Sequence, residues 1–302
     1  MSIFIPKVIA TPAGLALISA ALSQSIDIIK SWNIRVAESS RLPLAVRLLD
    51  RSATLWLYPD SAEQLLRIGN AINAAFDFYN ITRFLPDDPI AAIREDLRRA
   101  LGGTLGDIGP TSACRAQNQL LVAALLMAGG LKAGSPSTDG RSSPDYFVEI
   151  GSVSFAVEIK RPESSNLIRE RVDDAIDQID SMQSSGGLVV VDVTDCIGSQ
   201  SDPDAIGEDG KSLFNHICDV VRNAVTESKR PGLGKVTNLF VLGIWIRWLQ
   251  KPIEPKGLFL TCEVVFRKAR AGLIMEQSEA LNNRILSGIQ ALGGGVIERK
   301  RA

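Results

Sequence analysis

The segment that most constrains the fold is Ser143 to Pro162, SPDYFVEIGSVSFAVEIKRP, which alternates apolar and polar residues on either side of Gly151-Ser152. Alternation of this kind is the period of a β-strand. A glycine followed by a small polar residue suits a two-residue hairpin turn. With the turn placed there, Ile150 opposes Val153, and counting outward sets Asp145 opposite Glu158. The hairpin then has two faces. Tyr146, Val148, Ile150, Val153, Phe155, Val157 and Ile159 make one of them, apolar throughout and suited only to a core. The other carries Asp145, Phe147, Glu149, Ser154, Ala156, Glu158 and Lys160.

Two carboxylates and an ammonium therefore gather at the open end of one face. Opposed side chains on an antiparallel pair have Cβ atoms roughly 4.5–5.5 Å apart, and like charges so placed repel. The pair calls for counter-charge. Lys160 supplies part, and a divalent cation would supply the rest. Mg²⁺ suits such a site, since it takes few protein ligands and keeps several positions for water or phosphate oxygens. A metal held this way activates water and offsets charge developing on a phosphoryl group. Lys160, two residues after Glu158 on the same face, can meet the attacking water or a phosphate oxygen. An isolated Glu-x-Lys is ordinarily a solvated ion pair. Here the opposed Asp145, the apolar reverse face and the common register favour a site.

Pro144-Asp145 followed by Glu158-Ile159-Lys160 resembles the motif of the PD-(D/E)xK nuclease superfamily. That family's core is a helix, a strand hairpin carrying the motif, a second helix and another strand. The resemblance implies an α/β fold with a restriction-endonuclease-like core, a mixed central sheet flanked by helices. It implies that Asp145 and Glu158 bind Mg²⁺ or Mn²⁺, with the Ile159 carbonyl as a further ligand, and that Lys160 assists attack on a phosphodiester. The expected activity is metal-dependent nuclease action, first of all on DNA, in bacterial defence, restriction or repair. The alternative is a nuclease-like fold that binds nucleic acid or protein without cutting.

Both flanks agree with that core. Upstream, Thr111 or Ser112 can cap a helix running to about Ala128 and closed by Gly129-Gly130. On it Gln119 shares a stripe with Val122, Ala123 and Leu126. Many relatives carry a Glu on this helix that completes the metal site. Gln119 in the matching position can ligate through its carbonyl or hold a water, but brings no charge. Downstream, Ser164 or Ser165 can start a helix with the apolar stripe Ile168, Val172, Ala175, Ile179 and Met182. Arg171 and Gln178 edge that stripe. The resemblance places Gln178 near Lys160, and Arg171 and Arg161 are candidate nucleic-acid contacts. Gly187 to Asp195 reads as a buried strand. The resemblance spans about residues 115–195.

The 302 residues divide into a mostly helical region, 1–104, and a nuclease-like domain, 105–302, with a β-containing extension from about 236. In the first region Ser52 to Tyr58 alternates as a strand, and helices are expected from Asp60-Ser61 to Asn80 and from Pro89 to Leu101. A net charge of −1 gives no global attraction to nucleic acid, so binding must use local basic surface. Candidates are Arg94, Arg98 and Arg99; Arg267, Lys268 and Arg270; and Arg299, Lys300 and Arg301. A homodimer or a partner protein is left open.

Other chemistries are poorly supported. Cys114, Cys196, Cys218 and Cys262 are dispersed and His216 is the sole histidine, which disfavours zinc sites and His-based triads. The cysteine usage fits a reducing cytoplasm. Val8 to Leu22 superficially resembles a signal peptide, but Pro12 and Gly14 interrupt it and a packed helix is the favoured reading. No continuous apolar run reaches the roughly 18 residues of a membrane span. Ala205 to Ser212, AIGEDGKS, matches a loose phosphate loop. Its nearest strand ends too early, and Asp202, Asp204, Glu208 and Asp209 would repel a triphosphate.

Overall fold

A computed structural model of the chain describes residues 4–5, 12–55, 62–87, 89, 91–103, 112–134, 144–198, 210–228, 233–250, 253–267, 273–293 and 295–296. The chain is α/β. Its helices are α1 (Pro12–Ser31), α2 (Arg41–Leu55), α3 (Ala62–Phe84), α4 (Ala91–Leu101), α5 (Ser112–Ala128), α6 (Ile168–Ser181), α7 (Thr194–Gly198), α8 (Gly210–Thr226) and α9 (Leu273–Ala291). Five long strands form one mixed sheet: β2 (Tyr146–Ile150), β3 (Val153–Lys160), β4 (Gly186–Asp192), β5 (Val236–Gln250) and β6 (Ile253–Arg267). They lie in the order β6-β5-β4-β3-β2, and the two-residue strands β1 (Phe4–Ile5) and β7 (Gly295–Val296) both pair with β6.

The hairpin has the expected register. Ile150 pairs with Val153 and Tyr146 with Val157, and Gly151 supplies the left-handed φ of +62° that the turn needs. β3, β4 and β5 run parallel, while β2 and β6 are antiparallel to their neighbours. β4 is buried along its whole length, which is why its sequence is a continuous apolar run and not an alternation.

Two apolar layers cover the sheet. On one face Val148, Phe155, Val157, Ile159, Leu188 and Val190 join α1–α5 and α9 in a single buried cluster. On the other Ala156, Val189 and Val191 pack under α6, α7 and α8. Helices α1–α4 thus share their core with the sheet, and β5 and β6 extend that same sheet. The end of α5 follows the glycine signal: Gly130 takes φ +78° and the Leu131 N–H bonds the Leu126 carbonyl at 2.9 Å.

Two expectations change. Ser52 to Leu55 is the last turn of α2, not the start of a strand. Leu42, Ala45, Leu49 and Ser52 form a buried stripe of helical spacing, and that longer pattern overrides four residues of local alternation. Residues 56–58 lie outside the described set. The expected strand to Asp195 stops at Asp192, because Asp192 Oδ1 accepts the Thr194 N–H at 2.9 Å and starts α7. In α1, residues Ala13–Ser31 are long and apolar enough to cross a membrane by length and composition. Leu15, Leu22, Ile26 and Ile29 are nonetheless buried in the core, with α2 and α3 packed against the helix. Most of the phosphate-loop match lies outside the described residues, and α7 intervenes between β4 and α8.

α9 and α5 approach unusually closely. A Cβ on Gly288 would sit 2.1 Å from the Leu125 carbonyl oxygen, and one on Gly129 would sit 2.1 Å from that of Arg284. Neither backbone can yield without separating the helices. Gly288→Ala is expected to destabilise by about 1–3 kcal/mol, read from the urea midpoint. A change inside about 0.5 kcal/mol would mean that the helices part at little cost.

Candidate functional site

The site lies where β3 and β4 end. In a parallel sheet the carboxyl ends of the strands are where ligands ordinarily bind. Glu158 and Lys160 close β3, and Asp145, one residue before the antiparallel β2, is brought to the same end. Asp145 is tied in from two directions. Its Oδ2 accepts the Ile159 N–H at 2.7 Å, and its Oδ1 accepts a hydrogen bond from Gln119 on α5. Lys160 Nζ donates to Glu158 Oε2 at 2.9 Å and also to the amide oxygen of Gln178 on α6. The structure thus brings Asp145, Glu158, Lys160, Gln119 and Gln178 into one chain of contacts.

These carboxylates are crowded and dry. Burial, and then the Asp145 charge, push the Glu158 carboxyl from an ordinary 4.5 up to about 7, against the pull of Lys160. Asp145 is raised too, chiefly by burial, while the Ile159 N–H, Lys160, Gln119 and Arg99 oppose the shift. Negative charge here exceeds what Lys160 offsets. A small divalent cation fits that imbalance and the hard oxygen donors. Among the described residues no group of three or more His, Cys, Asp or Glu side chains could hold an ion. The protein donors for a metal would be Asp145 and Glu158, with the Ile159 carbonyl and water or phosphate oxygens completing the shell.

Arg161 and Arg171 stand apart from this chain. Arg161 is 14% exposed and forks onto Asp195, Nε to Oδ2 at 2.7 Å and Nη2 to Oδ1 at 2.8 Å, with Asp192 3.3 Å from its Nη1. These carboxylates raise its pKa further. Its donors face acids and not solvent. Arg171 is a third exposed and lies 3.6 Å from Glu170 and 3.5 Å from Asp174. Among the other basic groups, Arg267 pairs with Glu279. Lys268, Arg270, Arg299, Lys300 and Arg301 lie outside the described residues.

Three acids not singled out from the sequence converge on the same end of the sheet. Asp77 of α3 accepts a hydrogen bond from Gln117 of α5 and feels the charges of Arg161, Asp192 and Arg41. Burial pushes its carboxyl up to about 7. Asp192, at the end of β4, is raised by burial against Arg161. Asp96 of α4 accepts the Tyr146 hydroxyl at 3.2 Å and pairs with Arg99. Their signals are faint: Asp77 is a lone charge within AAFDF, and Asp96 sits on the stripe of Ile93, Leu97 and Ala100.

No family model, no curated protein and no solved structure matches this chain.

Arg161→Ala would leave Asp192 and Asp195 without their cation. A loss of about 3–5 kcal/mol in unfolding free energy is expected, as for other broken buried pairs, and a near-neutral change would mean that the guanidinium is not committed there. A second expectation concerns pH. Below 4.5 the folded and unfolded chains both hold the Glu158 proton. Between 4.5 and about 7 the folded chain keeps a proton that the unfolded chain has released, so stability falls as pH rises through this window. Above it the full penalty is present, on the order of 3 kcal/mol. Metal-free Glu158→Gln therefore gains stability over the parent at pH 8 and little at pH 4, measured by urea unfolding. An equal change at both pH values would show that Glu158 ionises freely in the folded protein.

Proposed function

We propose that the chain is a metal-dependent nuclease of PD-(D/E)xK type, acting on the phosphodiester backbone of nucleic acid, DNA in the first place, in the cytoplasm. The observation that carries this reading is the placing of Lys160. Its ammonium is held between Glu158 and Gln178, beside Asp145, at the carboxyl end of parallel strands. The order helix, hairpin, helix, strand in α5-β2-β3-α6-β4 agrees with that core.

The residues divide the work by charge and position. Asp145, fixed by the Ile159 N–H and Gln119, and Glu158 present oxygens to Mg²⁺ or Mn²⁺. When bound, the metal would lower the pKa of a water and offset phosphoryl charge. Lys160 can donate to the incoming water or to a non-bridging phosphate oxygen, where negative charge builds as water adds to phosphorus and the ester P–O bond opens. Gln178 holds the ammonium in place, and the surrounding burial strengthens each of these interactions. In this reading Gln119 stands where many nucleases of that type carry a Glu, leaving the site with two carboxylates.

The test is incubation of the pure protein with linear, circular and single-stranded DNA, with and without Mg²⁺ or Mn²⁺. Cleavage should require the metal and disappear in Asp145→Ala and Glu158→Ala, with metal binding lost in calorimetry. The metal-free melting temperature of Glu158→Ala at pH 8 should match or exceed the parent's, since that change relieves repulsion. Asp145→Ala instead strips the Ile159 N–H and Gln119 of their acceptor and should melt somewhat lower while staying folded. Lys160→Met should keep metal and nucleic-acid binding but lose about 10²–10³ in turnover. Cleavage that survives all three substitutions would overturn the assignment. Binding of DNA with no cleavage and no metal heat would assign the binding-module alternative.

A further inference from the structure

Three arginines on α4 were alike in sequence, and the structure separates them. Arg94 is spent on backbone, its Nε on the Pro89 carbonyl at 2.9 Å and its Nη1 on the Trp32 carbonyl at 3.2 Å. Arg98 points outward, 56% exposed, with Glu95 at 3.4 Å. Arg99 does neither. Its Nη2 lies 2.5 Å from Asp96 Oδ1, and the other oxygen of that carboxylate takes the Tyr146 hydroxyl at 3.2 Å. Tyr146 is the residue after Asp145. Asp96 is itself 9% exposed while the Arg99 side chain is 52% exposed. One end of the guanidinium is thus anchored to a buried group and the rest meets solvent. Arg99 and Lys160 are the cations whose charges act on Asp145.

We infer that Arg99 is the phosphate-binding residue of this site, supplied by the N-terminal helices and held in place by Asp96. The inference rests on the nuclease reading above. A guanidinium carries five donors in a rigid fork that matches two phosphate oxygens. Asp96 takes one donor and restricts the side chain before substrate arrives, so less entropy is lost on binding. Other arginines of this region are poorer choices: Arg161 faces Asp192 and Asp195, and Arg171 faces Glu170 and Asp174. Arg115 of α5 lies 3.5 Å from Glu163, with both side chains exposed and neither anchored to a buried group. A backbone phosphate brought between Arg99 and Lys160 would also offset the positive charge added by a divalent ion. Such a contact reads charge and position and not base sequence.

The experiment measures binding of a fluorescent linear DNA duplex, by anisotropy in Ca²⁺ in place of Mg²⁺ and with the duplex checked intact on a gel, to the full chain. Adding Arg99→Ala should weaken binding by about tenfold. It should also lower the slope of log affinity against log salt by about one. Arg99→Ala combined with Asp96→Asn removes the carboxylate charge that the first change leaves unpaired, so the fold is spared, and it should show the same loss. Arg98→Ala serves as the control and should change affinity by less than about twofold. Arg99 variants that bind as tightly as the Arg98 variant would overturn the inference and leave the nuclease reading standing. Failure of the unsubstituted chain to bind any nucleic acid would remove both.

Discussion

The structure around the carboxyl end of β3 depends on how Asp145 is held. A carboxylate buried without donors would be costly, and here one oxygen takes the Ile159 N–H and the other takes Gln119. The first contact clips the start of β2 to the end of β3 beyond their last ladder pair. The second pins α5 over the same end. With Asp145 fixed, Glu158 feels its charge, and Lys160 supplies the offset by bonding Glu158. Burial and mutual repulsion raise the pKa of both carboxyls, which costs stability where they are ionised.

A second polar seam runs beside it. Arg161, Asp192 and Asp195 form a buried cluster at the end of β3 and β4, and Asp77 with Gln117 approaches from α3 and α5. Burying an ion pair seldom adds net stability over an apolar replacement, but breaking one is expensive. Of this seam, the Asp77–Gln117 bond links α3 to α5, and the charges of Arg161 and Asp192 act on Asp77. Helix α4 carries Asp96 and Arg99 to the neighbourhood of Asp145. The N-terminal region is therefore part of the site's framework and not an appendage to it.

How much of this was legible follows from the range of each signal. The hairpin could be read because period-two alternation and a Gly turn act within about twenty residues, and Ile150 opposite Val153 then sets every other pair. The meeting of Gln119 with Asp145 followed from helical stripe and motif together. Arg161 looked like an external cation because its partners, Asp192 and Asp195, are over thirty positions away in the chain. Ser52 to Leu55 misled for the opposite reason: a short local pattern was weighed above the longer helical one that burial enforces.

The sequence by itself determined the hairpin, its two faces, the flanking helices and the gathering of two carboxylates with one ammonium. Local backbone geometry decides these, and it is written in neighbouring residues. Only the tertiary structure decided which charges are spent and which remain to act. Arg94, Arg98 and Arg99 are chemically alike and nearly adjacent, yet one is bound to backbone, one is solvated, and one is anchored at Asp96 beside the carboxylate pair. That difference arises from contacts across the fold, where burial raises the cost of an unpaired charge and so selects each partner.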